Sequence, residues 1–238
     1  MIPKTIHHVW VGSRLPDAQQ RHIETWRQTN PDFELALWNE DNIDLSPPVL
    51  RDAYGRRLWA KVADIVRLKV LEEHGGFYLD VDFTLYRPLT PLLDHPCVLG
   101  FQGEAPSADW VANGMMGAEP GHWFVRLALE RLLAMRRMPF GLDRPTKYGP
   151  KLITRLLVEA GLSRYSSDGV QLKDIFICPT RFFFPWPFGE EFRADWVTPD
   201  TYGMHLWEKS WEKDVPVWIR RAKLLRHRAI STLRLNPR

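Results

Sequence analysis

Gly75-Gly76-Phe77-Tyr78-Leu79-Asp80-Val81-Asp82 is the stretch of this chain that decides its fold. The paired glycines are typical of a helix end, and the residues after them alternate as in a β-strand. On that strand Asp80 and Asp82 share one side, and two carboxylates so close repel each other unless a cation compensates them. An isolated D-x-D is usually a pair of solvated acids, but the helix–glycine–strand context favours a hard divalent ion, Mn²⁺ or Mg²⁺.

The composition is that of one globular domain. The chain has 238 residues, of which 45% are hydrophobic and 26% charged, enough for a single well-buried α/β domain. No apolar run approaches the roughly 20 residues of a membrane span, and the N-terminus does not read as a signal peptide. Only Cys97 and Cys178 are present, too few for a disulfide scaffold. We therefore expect a cytoplasmic protein.

Strand-like and helix-like segments alternate along the chain. Strands are predicted at residues 2–11, 33–38, 77–82 and 98–101, and helices from residue 16 and at residues 57–73, 123–135 and 151–160. Strands separated by helices need crossover connections, so we expect a Rossmann-like, mostly parallel sheet flanked by helices. Ligands of such sheets bind beyond the carboxyl ends of the strands, where Gly12 and Asp82 would emerge.

Five blocks of residues are spread from residue 2 to residue 211. They are Ile2-Pro3-Lys4-x-Ile6-His7-x-x-Trp10-x-Gly12, Ala63-Asp64-x-x-Arg67, Gly75-Gly76-x-Tyr78-x-Asp80-x-Asp82, Asn113-Gly114 and His205…Ser210-Trp211. In this order and spacing they resemble glycosyltransferase family 32, which includes yeast-type mannosyltransferases and bacterial capsule enzymes and is similar to the glucosyltransferase domains of large clostridial toxins. The resemblance implies a GT-A fold, a nucleotide-sugar donor, a Mn²⁺ or Mg²⁺ cofactor and retention of anomeric configuration.

The resemblance also implies a ligand set for the metal. In the resembling enzymes the second acid of D-x-D binds the metal directly, and the first reaches it through water while bonding donor hydroxyls. Carried over, Asp82 is the direct ligand and Asp80 the bridging residue. A further ligand is expected from the late segment, where His205 is the candidate and Glu208 and Ser210 remain alternatives.

Three more polar residues are expected at the same cleft. Asp64 and Arg67 lie three residues apart on one helix and face the same way, either as a surface ion pair or as a sugar-binding pair. The helix leads into the D-x-D strand, which favours sugar binding, and Arg67 is expected to share the charge of the leaving diphosphate. Asp80, Asp82 and Arg67 are thus the predicted catalytic residues. Tyr78 shares the face of the acids and either binds the donor or packs.

Aromatic and amide side chains complete the predicted binding site. Trp10 closes the first strand, where its indole either stacks on the nucleobase or packs in the core. An asparagine at the position of Asn113 contacts the transferred sugar or the acceptor in the family, although Asn-Gly is also a turn signal. Ser210 and Trp211 are placed with the substrate, with Trp211 over the diphosphate or sugar. The aromatic run at residues 182–188 is interpreted as sheet packing rather than an acceptor platform.

The end of the chain is basic. Seven Arg and Lys residues and no acidic residue follow Asp214. We therefore divide the chain into a transferase domain at residues 1–214 and a basic amphipathic helix or tail at residues 215–238. This helix is expected to rest on an anionic membrane surface at the inner face of the membrane, with packing on the domain as the alternative. Nucleic acid is not an expected partner, because no reader motif accompanies the charge.

These features predict a metal-dependent retaining glycosyltransferase. It would move a hexose from a UDP- or GDP-linked donor to a glycan or lipid-linked glycan acceptor in surface polysaccharide synthesis. A nucleotide-sugar hydrolase or a nucleotidyltransferase would use the same carboxylates. Neither would transfer sugar to an acceptor, and the hydrolase would transfer it only to water. A non-catalytic glycan-binding module would explain the eleven tryptophans, and it would keep its affinity without the two acids.

Overall fold

The computed structural model describes residues 1–135 and 149–208. The strands are β1 (Thr5–Val9), β2 (Glu34–Trp38), β3 (Gly76–Leu79), β4 (Phe83–Leu85), β5 (Cys97–Gly100), β6 (Met115–Ala118), β7 (Val170–Leu172), β8 (Ile175–Cys178) and β9 (Gly203–His205). The helices are α1 (Asp17–Thr29), α2 (Pro48–Gly55), α3 (Trp59–His74), α4 (Trp123–Leu133), α5 (Pro150–Glu159) and α6 (Thr180–Phe183), with short 3-10 helices at Thr90–Leu92 and Ala194–Trp196.

Seven of the strands form one central sheet in the order β2-β1-β3-β6-β5-β8-β7. β1 pairs in parallel with β2 and β3, and β5 pairs in parallel with β8. β6 is antiparallel to both of its neighbours, and β7 is antiparallel to β8, so five of the seven strands run in one direction. The predicted α/β fold with a mostly parallel sheet is confirmed. β4 and β9 form a separate two-stranded sheet.

Helices cover both faces of the central sheet. α3, α4 and α5 contribute buried side chains to one hydrophobic cluster, which Tyr78 of β3 also joins. α1 contributes Ile23 and Trp26 to the other cluster, together with Phe77 and Leu79 of β3. The alternation of Phe77, Tyr78 and Leu79 between the two clusters is the two-residue period of a strand buried on both faces. Tyr78 therefore faces α3, which carries Asp64 and Arg67.

The turn between α3 and β3 depends on its two glycines. Gly75 and Gly76 have φ values of +65° and +93°, in the region that other residues adopt only with strain. A Cβ atom on Gly76 would lie 2.8 Å from the carbonyl oxygen of Thr5, because β1 packs directly against the turn. His7 fixes the other side of the turn through a bond of 2.9 Å between its Nε2 and the Gly75 carbonyl.

The tautomer of His7 follows from its second partner. The Trp38 indole donates a hydrogen bond of 3.1 Å to Nδ1 of His7, so the proton of the neutral ring lies on Nε2 and is donated to Gly75. Burial lowers the pKa of His7 to about 4, which keeps the ring neutral at physiological pH. The edge of the sheet at β2 is thereby tied to the turn that starts β3.

Several segments named by the sequence interpretation lie outside the described residues. These are Ser210, Trp211 and the predicted basic helix at residues 215–238. The boundary at residue 214 and the membrane contact therefore stay predictions. In residues 1–135 and 149–208, no helix combines the length and the hydropathy that crossing a membrane requires.

Substitution of the turn glycine tests the link between α3 and β3. Gly76→Ala is expected to lower the free energy of unfolding by at least about 2 kcal/mol, because positive φ and the contact with β1 both oppose a side chain. The matched control is Gly55→Ala at the end of α2, where nothing lies within 4 Å of the added Cβ atom. Urea denaturation of the control should give an unchanged or slightly higher stability. Equal effects of the two substitutions would contradict this account of the turn.

Candidate active site

The two acids of the D-x-D motif lie in a turn rather than on the strand. β3 ends at Leu79, and β4 begins at Phe83 in the second sheet. The amide N–H of Asp80 donates to the Gly114 carbonyl at 2.8 Å, and the N–H of Phe83 donates to the Asp80 carbonyl at 3.1 Å. The second bond closes a four-residue turn at the carboxyl end of β3, and the first continues the pairing of β3 with β6. The expectation that the strand continues through Asp82 is therefore wrong, although the acids still converge.

Asp80 and Asp82 meet His205 at this turn. One ligand atom from each of the three residues lies within 4.8 Å of the other two. The pairing of β4 with β9 places His205 opposite Phe83, and the Leu206 N–H donates to the Asp82 carbonyl at 2.9 Å. Nε2 of His205 lies 3.1 Å from a carboxylate oxygen of Asp82. The structure thus brings together the three residues that the sequence analysis named for the metal.

Arg67 joins the acids to the rest of the site. Its side chain is buried, and Nη2 donates to Oδ1 of Asp80 at 2.8 Å and lies 3.6 Å from Oδ1 of Asp64. Nη1 donates to the carbonyl of Asn113. The guanidinium carbon lies 4.4 Å from the centre of the Tyr78 ring, a cation–π distance. Nε is buried and has no hydrogen-bond partner in the described part of the chain.

Asp64 is the buried carboxylate of this network. Its Oδ1 accepts a hydrogen bond of 2.7 Å from the amide of Asn113, and the residue is only 6% exposed. Burial raises the pKa of Asp64 to about 6, against the opposing effect of the Arg67 charge. The alternative of a surface ion pair between Asp64 and Arg67 is excluded, because both side chains are buried.

The charges at the turn compensate one another. Burial and the neighbouring Asp82 raise the pKa of Asp80, while the Arg67 guanidinium lowers it. Burial disfavours a charged His205, but the Asp82 carboxylate outweighs that effect, so the pKa of His205 is raised. The hydroxyl of Tyr78 donates to Oδ1 of Asp80 at 3.0 Å. A compact cluster of two carboxylates and two basic groups results.

Two glycines allow the backbone to approach these side chains. A Cβ atom on Gly114 would lie 2.7 Å from Oδ2 of Asp80, and one on Gly149 would lie 2.7 Å from Nδ2 of Asn113. The Asn-Gly pair at residues 113–114 therefore leads into β6 and packs against the acid, rather than forming a hairpin turn. Gly149, the residue directly before α5, lies against the same network.

Trp10 stands at the carboxyl end of β1, on the same edge of the sheet as the acids. The side chain is half-buried against the hydrophobic cluster to which α1 contributes, and its indole nitrogen is buried without a hydrogen-bond partner among the described residues.

Glu40 is a residue near this end of β1 that the sequence analysis missed. Its carboxylate accepts hydrogen bonds from the Gly12 N–H at 2.6 Å and from the Tyr54 hydroxyl at 3.0 Å. Glu40 follows the end of β2, the parallel neighbour of β1, and this position in the sequence could have indicated that it lies near Gly12.

Comparison with known proteins identifies the class of this site. The family model for the glycosyltransferase sugar-binding region containing the DXD motif matches residues 16–99, which include Asp64, Arg67 and both acids of the turn. The chain is 30% identical over 136 residues to inositol phosphoceramide mannosyltransferase 3 of Schizosaccharomyces pombe, a match that covers 55% of this chain and 37% of that protein. Residues 16–99 therefore resemble the sugar-binding region of DXD glycosyltransferases.

Two further relatives extend the match. A glycosyltransferase of Acanthamoeba polyphaga mimivirus is 24% identical over 223 residues, which cover 89% of this chain and 84% of that protein. A mannosyl phosphorylinositol ceramide synthase of Saccharomyces cerevisiae is 29% identical, and the match covers 56% of this chain and 35% of that protein. The chain therefore spans about a third of the length of the yeast relatives it matches.

Comparison with solved structures gives the fold family of the chain. The PaToxG glycosyltransferase superposes with a TM-score of 0.52 at 17% identity, over 66% of this chain and 69% of that one. The apo form of the glycosyltransferase GlyE of Streptococcus pneumoniae superposes with a TM-score of 0.51 at 12% identity, over 96% of this chain and 64% of that one. The predicted GT-A fold is confirmed.

Substitution of Arg67 tests how much the buried network contributes to the free energy of unfolding. Arg67→Met leaves Asp64 and Asp80 without their buried cation, and we expect the free energy of unfolding to fall by about 3–5 kcal/mol. Asp64→Asn in the same background removes one uncompensated charge and should recover part of that loss. Urea denaturation measures both effects.

The control for this experiment is an exposed arginine. Arg27 pairs with Glu24 on α1 at 3.5 Å, with both side chains more than half exposed, and Arg27→Met should cost no more than about 1 kcal/mol. A loss with Arg67→Met as small as that of the control would show that the buried network contributes little.

Proposed function

We propose that this glycosyltransferase transfers a hexose from a UDP- or GDP-linked donor to a hydroxyl of a glycan or lipid-linked glycan, with a divalent ion and with retention of configuration. The observation that carries the proposal is the Asp80–Asp82–His205 cluster beside Arg67 at the carboxyl edge of the sheet. The relatives named as inositol phosphoceramide mannosyltransferases support a mannose donor and an acceptor carried on a lipid.

The side chains of the cluster suit a divalent ion. Carboxylate oxygens are preferred by Mg²⁺ and Mn²⁺, and an imidazole adds a nitrogen ligand that Mn²⁺ accepts more readily than Mg²⁺. Nδ1 of His205 is buried without a hydrogen-bond partner among the described residues, and ligand atoms of His205 and the two acids lie within 4.8 Å of one another. We assign Asp82 and His205 as direct ligands and Asp80 as a ligand through water. The bound ion would neutralise the diphosphate as it leaves.

The remaining residues orient the acids and the sugar. Arg67 donates a hydrogen bond to Asp80, and we assign its guanidinium to share the charge of the leaving diphosphate. Asp64 and Asn113 already bond each other, and we assign them to the hydroxyl groups of the donor sugar. Tyr78 is only 1% exposed and donates to Asp80, so we assign it to positioning that acid instead of contacting the donor.

Retention is proposed to occur by attack from the face that the leaving group occupies. The carboxylates at the centre are engaged with partners, namely Asp64 with Asn113, Asp80 with Arg67 and Tyr78, and Asp82 with His205. None is left as an evident covalent nucleophile among the described residues. A phosphate oxygen of the leaving diphosphate then serves as the base for the acceptor hydroxyl. A glycosyl-enzyme adduct trapped by mass spectrometry would contradict this route.

The role in surface polysaccharide synthesis and the place at the inner membrane face rest on the predicted helix at residues 215–238. We keep both as part of the proposal. Sedimentation with anionic vesicles tests them, because a chain truncated after Asp214 should lose binding that the full chain shows. Equal sedimentation of the two folded proteins would remove the membrane from the proposal.

Removal of the direct ligand tests the metal centre. Asp82→Asn should fold normally and lose Mn²⁺-dependent transfer by several orders of magnitude, because a lost ligand removes stabilisation of the leaving diphosphate. Release of UDP or GDP from nucleotide-sugars measures the rate, and the thermal shift caused by Mn²⁺ measures ion binding. Asp52→Asn, which changes an acid on α2 that pairs with Arg56, is the control and should leave both unchanged. Full turnover by Asp82→Asn in Mn²⁺ would refute the assignment.

Replacement of Trp10 tests the nucleobase site. Trp10→Ala should raise the donor KM with little change in kcat, because the base is bound equally in the ground state and the transition state. Trp10→Phe keeps a ring for stacking and should lie closer to the wild-type KM. Steady-state kinetics with a UDP-hexose and a GDP-hexose give both constants. A large fall in kcat at unchanged KM would argue against base stacking.

A further inference from the structure

Exposed aromatic side chains are concentrated on the loop that follows α6. Six large hydrophobic residues are exposed in the described part of the chain, and two of them, Phe188 and Phe192, lie on this loop. Phe188 is 59% exposed and Phe192 is 44% exposed. Exposure of one such side chain is ordinary, but a group of exposed rings indicates a surface that binds a ligand or a partner.

The loop divides the aromatic run into a packed part and an open part. Phe183 and Phe184 are buried, as the interpretation of sheet packing expects. Trp186 instead contacts Phe192 at 5.4 Å, and Phe188 contacts Trp207 at 5.3 Å between ring centres. Trp207 is partly buried and also packs against the core cluster that contains Phe184. We call these four residues, Trp186, Phe188, Phe192 and Trp207, the aromatic shelf.

Hydrogen bonds of the two indoles fix the shelf to the backbone. The Trp207 indole N–H donates to the carbonyl of Trp186 at 2.8 Å, and the Trp186 indole N–H donates to the carbonyl of Glu190 at 2.9 Å. Both donors are used within the loop, so the shelf offers ring surface to a ligand rather than indole N–H groups. The arrangement is preorganised, since these bonds restrain the rings before any ligand binds.

The shelf begins at the candidate metal centre. The rings of Trp207 and His205 make an edge-to-face contact with 4.2 Å between their centres. Trp207 has a φ of +57°, a left-handed conformation that is rare for a bulky residue and carries strain. The backbone is thus held in an unfavourable conformation at the residue that connects His205 to the exposed rings. Strain of this kind is found where a side chain must be aimed for function.

Exposed polar residues lie next to the shelf in the sequence. Glu190, Glu191 and Arg193 are exposed on the same loop, and Asp195 is exposed in the 3-10 helix that follows it. Arg193 and Asp195 bond each other at 2.6 Å. A pyranose ring has an apolar face of C–H groups and a rim of hydroxyls, so it matches flat rings bordered by carboxylates and a guanidinium. An alkyl chain would leave the polar border without partners.

We propose that the aromatic shelf binds the acceptor as a pyranoside ring, next to the Asp–Asp–His centre. This inference rests on the proposed function, because the acceptor hydroxyl must reach the anomeric carbon of a donor whose diphosphate is held at that centre. The shelf is the exposed apolar surface that continues directly from His205. In the transfer, the acceptor oxygen bonds to the anomeric carbon, the bond to the phosphate oxygen breaks with its electron pair, and the acceptor proton passes to that phosphate oxygen.

Saturation-transfer NMR tests the shelf with simple sugars. The probes are methyl α-mannopyranoside and methyl α-glucopyranoside, with 1-hexanol as an alkyl chain that lacks the ring. In the wild-type protein, we expect signal transfer to the C–H protons of a methyl pyranoside. In the double variant Phe188→Ala, Phe192→Ala the apparent dissociation constant should rise about tenfold or more, because two stacking surfaces are lost. Both residues are exposed, so the variant should fold, and the single variants replace it if it does not.

The controls separate the shelf from the donor site. Val158→Ala removes another exposed hydrophobic side chain, on α5, and should leave the sugar signal unchanged. Equal sugar binding by the wild-type protein and the folded shelf variants would overturn the inference, as would transfer to 1-hexanol but to neither sugar. The donor site is read separately from the thermal shift that nucleotide-sugars cause with Mn²⁺. If nucleotide-sugars with Mn²⁺ cause no thermal shift but the sugar signal still depends on the shelf, the proposed function is refuted and sugar binding at the shelf is supported.

Discussion

The buried guanidinium of Arg67 is the group on which the site depends. It bonds Asp80 in the turn after β3 and the carbonyl of Asn113 before β6, and it stacks on Tyr78 of β3. A buried cation without partners costs several kcal/mol, and so do crowded carboxylates without a cation. The acids and the arginine therefore stabilise one another, and they fix α3 against the edge of the sheet where the donor is proposed to bind.

Local chemistry made part of this site predictable from the sequence. The spacing of Asp64 and Arg67 on a helix and the two glycines after it were sufficient to place these residues near the acids. The end of β3 at Leu79 was not predictable, because the turn that follows leads into β4, which pairs with β9 far along the chain. The antiparallel strand β6, which lies between β3 and β5, likewise has no signature in the alternation of strands and helices.

Short elements account for most of what the sequence could not reveal. His205 reaches the acids only because β4 and β9 pair, and each strand has three residues, too few for a hydrophobic period to be recognised. The resemblance to a known family pointed to His205 where periodicity could not. The aromatic run after α6 has no period either, since Pro185 and Pro187 interrupt it, so its division into buried and exposed rings appears only in the fold.

Exposure increases across the site in a way that matches the two halves of a transfer reaction. Arg67 and Asp64 are nearly inaccessible and are held by hydrogen bonds, which suits groups that are proposed to face a diphosphate and a sugar without reorganising as charge develops. Phe188 and Phe192 lie on an exposed loop, where changes of sequence alter contacts without disturbing the core. Trp207 joins the halves, because its ring contacts His205 on one side and Phe188 on the other. If the shelf binds the acceptor as proposed, a change of acceptor can arise in the loop while the residues at the turn stay the same.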